Sequence, residues 1–178
     1  MNNRLTFFGI IFLIAICIFS CERKSGRRNI ETSSAGTCIC RNYPCDYCVK
    51  VVGITDGDTF TGLTNKNEQI KYRIYGIDAP ERKQAYGTKS KEHLSELIFG
   101  KTVGIKVEST DRWGRLIVWV FTPDRKDVGA EMLKAGMAWH FKRYDNSELY
   151  DKLENEAKMK RIGLWADGKS VAPWEYRR

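Results

Sequence analysis

Histidine is nearly missing from this chain: among 178 residues there are two, His93 and His140. A histidine-based metal or catalytic centre at His140 would need a metal-binding partner close by, and none is apparent. His93 falls between charged residues on a helix and reads as solvated, whereas His140 could touch a substrate. The chain also lacks internal repeats. Acidic residues are the minority, 22 Asp and Glu against 30 Lys and Arg, for a net charge of +8. Such a balance speaks to partners rather than to fold, and it suits nucleic acid or an anionic surface. Hydrophobic residues make up 42%, enough for the packed core of one domain but not comfortably of two.

A membrane-spanning helix takes about 20 apolar residues, and the run Leu5–Phe19 stops short of that. Arg4 before it, and Ser20, Cys21 and the polar "ERKSGRR" after it, give it the form of a signal peptide. The end "CIFSC" is similar to a bacterial lipoprotein signal, with Ile18 and Ser20 at the −3 and −1 positions and Cys21 as the lipidated residue. Phe19 is bulkier than the residue usual there, so an ordinary secretory signal or an uncleaved anchor stays open. The expectation is a signal over 1–20 and a flexible tether over 21–37. The protein would be exported and membrane-anchored, in the periplasm or at the cell surface.

Four cysteines then crowd into "CICRNYPCDYC": Cys38, Cys40, Cys45 and Cys48. This segment, 38–48, suits two disulfides or one tetrahedral Zn²⁺, and export favours disulfides. A catalytic redox role is disfavoured, because no thioredoxin-like alternation of strands and helices surrounds Cys45 and Cys48.

Hydrophobic patterning predicts strands over 49–54, 59–64, 69–76, 103–109 and 116–121, and helices over 86–99, 128–135 and 147–161. Five short strands with a helix between the third and fourth form an OB-type barrel, here an α+β, mainly β domain over 49–178 with two C-terminal helices. The third strand ends abruptly in "YGIDAPE", two carboxylates beside a proline. Strict alternation would place Arg73 and Asp78 on opposite faces. Something must shift the phase, and Gly76 is the candidate.

Asp58 and Asp78 are hard oxygen donors suited to Ca²⁺ or Mg²⁺ and poorly to zinc. Glu81, ionised at neutral pH, can orient or deprotonate a water. Arg73 and Arg115 can each grip phosphate oxygens through two parallel hydrogen bonds. Asp56 reads as a turn-capping neighbour. In order and spacing, "DGDT", "YRIYGIDAPE", "DRWGR" and "GMAWHFKRY…GLW" resemble the staphylococcal (micrococcal) nuclease family from Val49 to Trp165.

The resemblance implies hydrolysis of DNA, with RNA left open, at low sequence specificity and leaving 3′-phosphate ends. It implies Ca²⁺, in preference to Mg²⁺, on Asp58, Asp78 and the carbonyl of Ala79. Glu81 takes the general-base role, and Arg73 and Arg115 the phosphate-gripping roles. Lys142, Arg143 and Tyr144 are the expected substrate contacts. The chain would act as a monomer, anchored through its lipid. A membrane-anchored nucleic-acid capture or uptake module with little catalysis is the alternative reading.

Overall fold

The computed structural model describes residue 40, residues 43–166 and residues 168–178. The expected signal, the tether, Cys21 and Cys38 lie outside the described residues. In chain order the elements are β1 (Tyr47–Ile54), β2 (Thr59–Leu63), β3 (Gln69–Ile74), β4 (Ile77–Asp78), α1 (Gly87–Ile98), β5 (Thr102–Thr110), β6 (Leu116–Phe121), α2 (Val128–Lys134), β7 (Trp139–His140) and α3 (Glu148–Met159). A 3₁₀ turn (Gly163–Trp165) and a one-turn helix, α4 (Pro173–Tyr176), follow.

Five strands close into a barrel in the order β1-β2-β3-β6-β5, as the α+β OB-type reading expects. The β1–β2, β2–β3, β5–β6 and β1–β5 pairs are antiparallel, and β3–β6 is parallel. Period-two alternation supplies the interior. Val49 and Val51, Phe60, Tyr72 and Ile74, Val103 and Ile105, and Val118 and Val120 are all buried. Phe60 and Tyr72 stack at 5.2 Å between β2 and β3. Leu94 and Ile98 of α1 and Met132 and Leu133 of α2 join the same core.

The expected strands and helices are found within a few residues. Three small elements went unread. These are the two-residue ribbon β4–β7, the 3₁₀ turn and α4, all too short to leave a periodic signal. The expected boundary between a cysteine segment and the barrel falls inside β1. Cys48 pairs with Gly104 of β5, the Asp46 N–H donates to the Ile105 carbonyl at 2.7 Å, and Tyr43 packs edge-on against Phe121. The segment is therefore stitched to the barrel wall rather than riding on it. Cys40 and Cys45 form a disulfide and Cys48 is likewise disulfide-bonded. Oxidised sulfurs are not thiolate ligands, so the zinc alternative does not describe this state.

Asp127 ties the helices to one another. Its carboxylate caps α2 by accepting from the Gly129 and Ala130 N–H groups at 2.9 and 3.3 Å. The same group accepts from the buried Tyr150 hydroxyl of α3 at 2.9 Å. Replacing it would remove a cap and strand a phenol. Asp127→Ala is expected to cost about 3 kcal/mol of stability. A urea titration followed by tryptophan fluorescence checks this, through a lowered midpoint at unchanged slope.

Candidate active site

The β2–β3 register begins with Thr59 opposite Arg73, so Asp58, one residue earlier, stands at the same end of the barrel. Its carbonyl accepts the Ile74 N–H at 2.8 Å, which prolongs the pairing by one bond. At Gly57 a Cβ would lie 1.9 Å from Ser90 Oγ, so only glycine lets this turn lie against α1. After Ile74 the chain turns at Gly76, whose φ of +74° belongs to the left-handed region. That turn supplies the phase change that alternation required. Asp78 emerges on β4, paired with Trp139 of β7.

The consequence is a bridge. Arg73 donates through Nη1 to Asp58 Oδ1 at 2.8 Å and through Nη2 to Asp78 Oδ1 at 2.7 Å. Thr59 Oγ1 also donates to Asp58 Oδ1, at 2.9 Å, and the Ala79 N–H to Asp58 Oδ2 at 2.9 Å. Both carboxylates are buried, Asp58 2% and Asp78 0% exposed. Burial opposes the charge of Arg73, but the two aspartates outweigh it and raise its pKa. Burial likewise pushes the Asp78 carboxyl above its ordinary range, partly offset by its arginine contacts. Asp56, whose Oδ1 accepts the Asp58 N–H at 3.1 Å, is pushed up to about 7 by burial and by the neighbouring Asp58 charge.

Glu81 lies just beyond Ala79 and Pro80 at the rim, with its side chain 39% exposed. Its backbone is pinned to Gln84 in both directions, at 3.0 Å through the Gln84 side chain and 2.8 Å through the Gln84 N–H. A residue that the sequence analysis did not single out completes the group. Arg177 donates through Nη2 to Asp78 Oδ2 at 2.6 Å and through Nη1 to Glu81 Oε1 at 2.6 Å, with a longer contact to Asp78 Oδ1 at 3.2 Å. The signal that could have found it is "APWEY", a proline-started turn carrying an aromatic anchor, which reads as a docked element rather than a loose end.

Arg115 is placed differently. It lies on the loop before β6, two residues before Ile117, which pairs with Arg73. Its Nε donates to Asp111 Oδ2 at 2.7 Å, and Asp111 Oδ1 accepts the Trp113 and Arg115 N–H groups at 2.9 Å each. Its guanidinium and that of Arg112 lie 5.3 and 4.1 Å from the exposed Trp113 ring. Arg115 thus pairs with Asp111 and shares no carboxylate with the bridge. Asp111, unassigned from sequence, is what holds it.

Lys142 and Arg143 line a cavity of about 500 Å³ together with Trp139, Phe141, Trp174 and Arg178. Lys142 pairs with Asp151. Tyr144 is exposed and packs edge-on against Phe141 at 5.0 Å. His140 also lines this cavity but is held within the protein. It is 3% exposed, and its Nε2 lies 2.9 Å from Asp145 Oδ2.

Among the described residues no cluster of three or more His, Cys, Asp and Glu side chains forms a metal cage. What the site offers is a small set of oxygen donors, Asp58, Asp78 and the carbonyl of Ala79, at a place that already draws cationic groups from two directions. That donor chemistry fits a hard divalent ion sharing its shell with water and substrate.

The family model described as "Staphylococcal nuclease homologue" matches residues 71–167. A protein of Haemophilus influenzae named as an uncharacterized endonuclease is 43% identical over 129 residues, 72% of each chain. The micrococcal nuclease of Shigella flexneri is 35% identical over 144 residues, 75% of this chain and 82% of its own. The staphylococcal-like nuclease CAN1 of Arabidopsis thaliana is 39% identical over 121 residues, 65% of this chain and 37% of its own. With its barrel, its bridged carboxylates and these relatives in agreement, the chain belongs to the staphylococcal nuclease family.

Proposed function

We propose that this chain, a nuclease hydrolysing phosphodiester bonds, is a Ca²⁺-dependent endonuclease that cuts DNA with little regard to sequence, with RNA left open as a further substrate. The observation that carries the reading is the pair of buried carboxylates, Asp58 and Asp78, bridged by Arg73 with Glu81 at the rim. Buried acids of like charge are costly to keep. A site that concentrates them beside a phosphate-gripping arginine is arranged for a cation and an anion together.

Asp58, Asp78 and the Ala79 carbonyl would hold the ion, which supplies Lewis-acid polarisation of the phosphate when bound. Glu81 takes the proton from the attacking water through a carboxylate oxygen. The water oxygen bonds to phosphorus as the bond to the 5′ oxygen breaks, and the departing 5′ oxygen takes a proton from solvent, leaving a 3′-phosphate and a 5′-hydroxyl. Arg73 has N–H groups beyond the two given to the aspartates, and these face the charge that builds on the phosphoryl oxygens. Arg115, steadied by Asp111, supplies the second guanidinium.

Lys142 and Arg143, on the cavity beside Trp139, Phe141 and Trp174, offer the neighbouring nucleotides phosphate contacts and stacking faces. Backbone and stacking contacts explain the low sequence preference. They also imply binding that weakens steeply with salt. The N-terminal signal and Cys21 support export and lipid anchoring, so the enzyme would meet foreign or released nucleic acid at a membrane surface.

With single-stranded and duplex DNA, cutting is expected in Ca²⁺, to stop in chelator, and to leave 3′-phosphates detectable by phosphatase-dependent end labelling. Tight binding without cutting in every metal would return the weight to a capture module. Glu81→Gln should lower kcat by about a hundredfold or more while leaving DNA affinity nearly intact. Equal turnover in the two proteins would remove Glu81 from its role. Asp58→Ala and Asp78→Ala should each shift the Ca²⁺ titration to higher concentration, and an unshifted titration would count against both as ligands. Arg115→Lys should reduce kcat, because an ammonium cannot reproduce the two-pronged grip, and the pH profile should keep its shape.

A further inference from the structure

The C-terminal segment reaches back across the barrel and is held at several points. Gln84 Nε2 donates to the Val171 carbonyl at 2.6 Å, and Ala172 and Pro173 are buried. Trp174 stacks on Phe141 at 5.3 Å with an interplanar angle of 9°, and meets Trp139 edge-on at 5.6 Å. From this footing α4 delivers Arg177 to Asp78 and Glu81. These contacts are short and ionic, and they raise the pKa of Arg177, first through the hydrogen bond to Asp78. The guanidinium is charged at any working pH.

The geometry is competitive. Arg177 Nη2 occupies Asp78 Oδ2, while Asp78 Oδ1 is shared between Arg73 and the second arm of Arg177. Arg177 Nη1 simultaneously takes an oxygen of Glu81. Each group is then engaged at an oxygen that its role above would use. The Arg177 cation at Asp78 Oδ2 repels a divalent ion approaching that oxygen, and its pairing with Glu81 Oε1 leaves Glu81 only Oε2 to accept a proton from water.

We propose that Arg177 is a built-in competitor of the metal ion, and that the segment 171–178 is a latch which the ion and a nucleic-acid strand must displace together. The inference rests on the metal-dependent reading of Asp78 and Glu81. Trp174 gives it a second lever. Its ring lies against Phe141 on the wall of the cavity offered to nucleotides, so a stacking base and the tail contend for one surface. Displacement frees a guanidinium beside the phosphate, a group suited to grip it. Metal without substrate would open the latch only in part, which holds the resting enzyme in check.

The test uses the full chain carrying Glu81→Gln, so that substrate survives, and reads Ca²⁺ binding by calorimetry and tail position by tryptophan fluorescence. Adding Arg177→Gln is expected to tighten Ca²⁺ about three- to tenfold, the range of one partly exposed ion pair. Trp174→Ala, which loosens the footing without touching a carboxylate, should shift it the same way by less. Arg178→Ala, which removes an equal charge from the adjoining cavity wall, should leave it nearly unchanged. Ca²⁺ added with a short DNA strand should change Trp174 emission in the parent but not in Trp174→Ala. Weaker Ca²⁺ binding in Arg177→Gln would overturn the latch and make Arg177 an organiser of the site. Equal binding in parent and Arg177→Gln would overturn it while leaving the metal-dependent reading in place. Absence of Ca²⁺ binding in every variant would overturn both.

Discussion

The site depends on one ion-pair bridge, Arg73 between Asp58 and Asp78. Two carboxylates that are almost wholly buried repel one another and pay a desolvation penalty, and a guanidinium at 2.7–2.8 Å from each is what makes their burial tolerable. Losing one partner of such a pair typically costs about 3–5 kcal/mol. The barrel's geometry serves the bridge at each step: Thr59 opposite Arg73 sets the register, Gly57 lets the turn lie against α1, and Gly76 rotates the chain so that Asp78 faces inward.

The bridge is also incomplete as a charge balance. Asp58 and Asp78 bring two negative groups and Glu81 a third, while Arg73 brings one positive group. The surplus is a standing demand for positive charge at the barrel's mouth. Arg177 meets that demand in this structure. A divalent ion would answer the same demand more strongly and at closer range, so the proposed metal binding and the tail docking belong to one electrostatic question rather than two.

Much of this was legible in the residues. The barrel followed from period-two alternation in strands of ordinary length, and the helices from their apolar faces and caps, because those signals are local. Asp58, Arg73 and Asp78 were named from their order and chemistry, and the awkward parity between Arg73 and Asp78 correctly pointed to Gly76. What escaped was non-local or too short to be periodic. β4 and β7 hold two residues each and exist only because they pair with one another. Arg177 is 96 positions from Glu81, and no spacing rule joins them. Asp111 sat in a quoted motif, yet its work is to fix another side chain, which residue type alone does not reveal. His140 looked like a surface candidate and turned out to be walled in by Asp145 and α3.

The parallel pairing of β3 with β6 carries a kinetic consequence. Antiparallel hairpins such as β2–β3 close locally and early, and they bring Asp58 to Arg73 almost for nothing in chain entropy. A parallel partner needs a long crossover, and here the chain must lay down β4, α1 and β5 before β6 can lie beside the arginine strand. Asp78 waits still longer, since its own partner strand, β7, comes after α2. Contacts of such separation form late and slowly. The folding chain therefore meets one half of the bridge early and the other only when its last strand pairs. A half-folded molecule would thus hold Arg73 paired on one side only, with the bridge unfinished until β7 arrives.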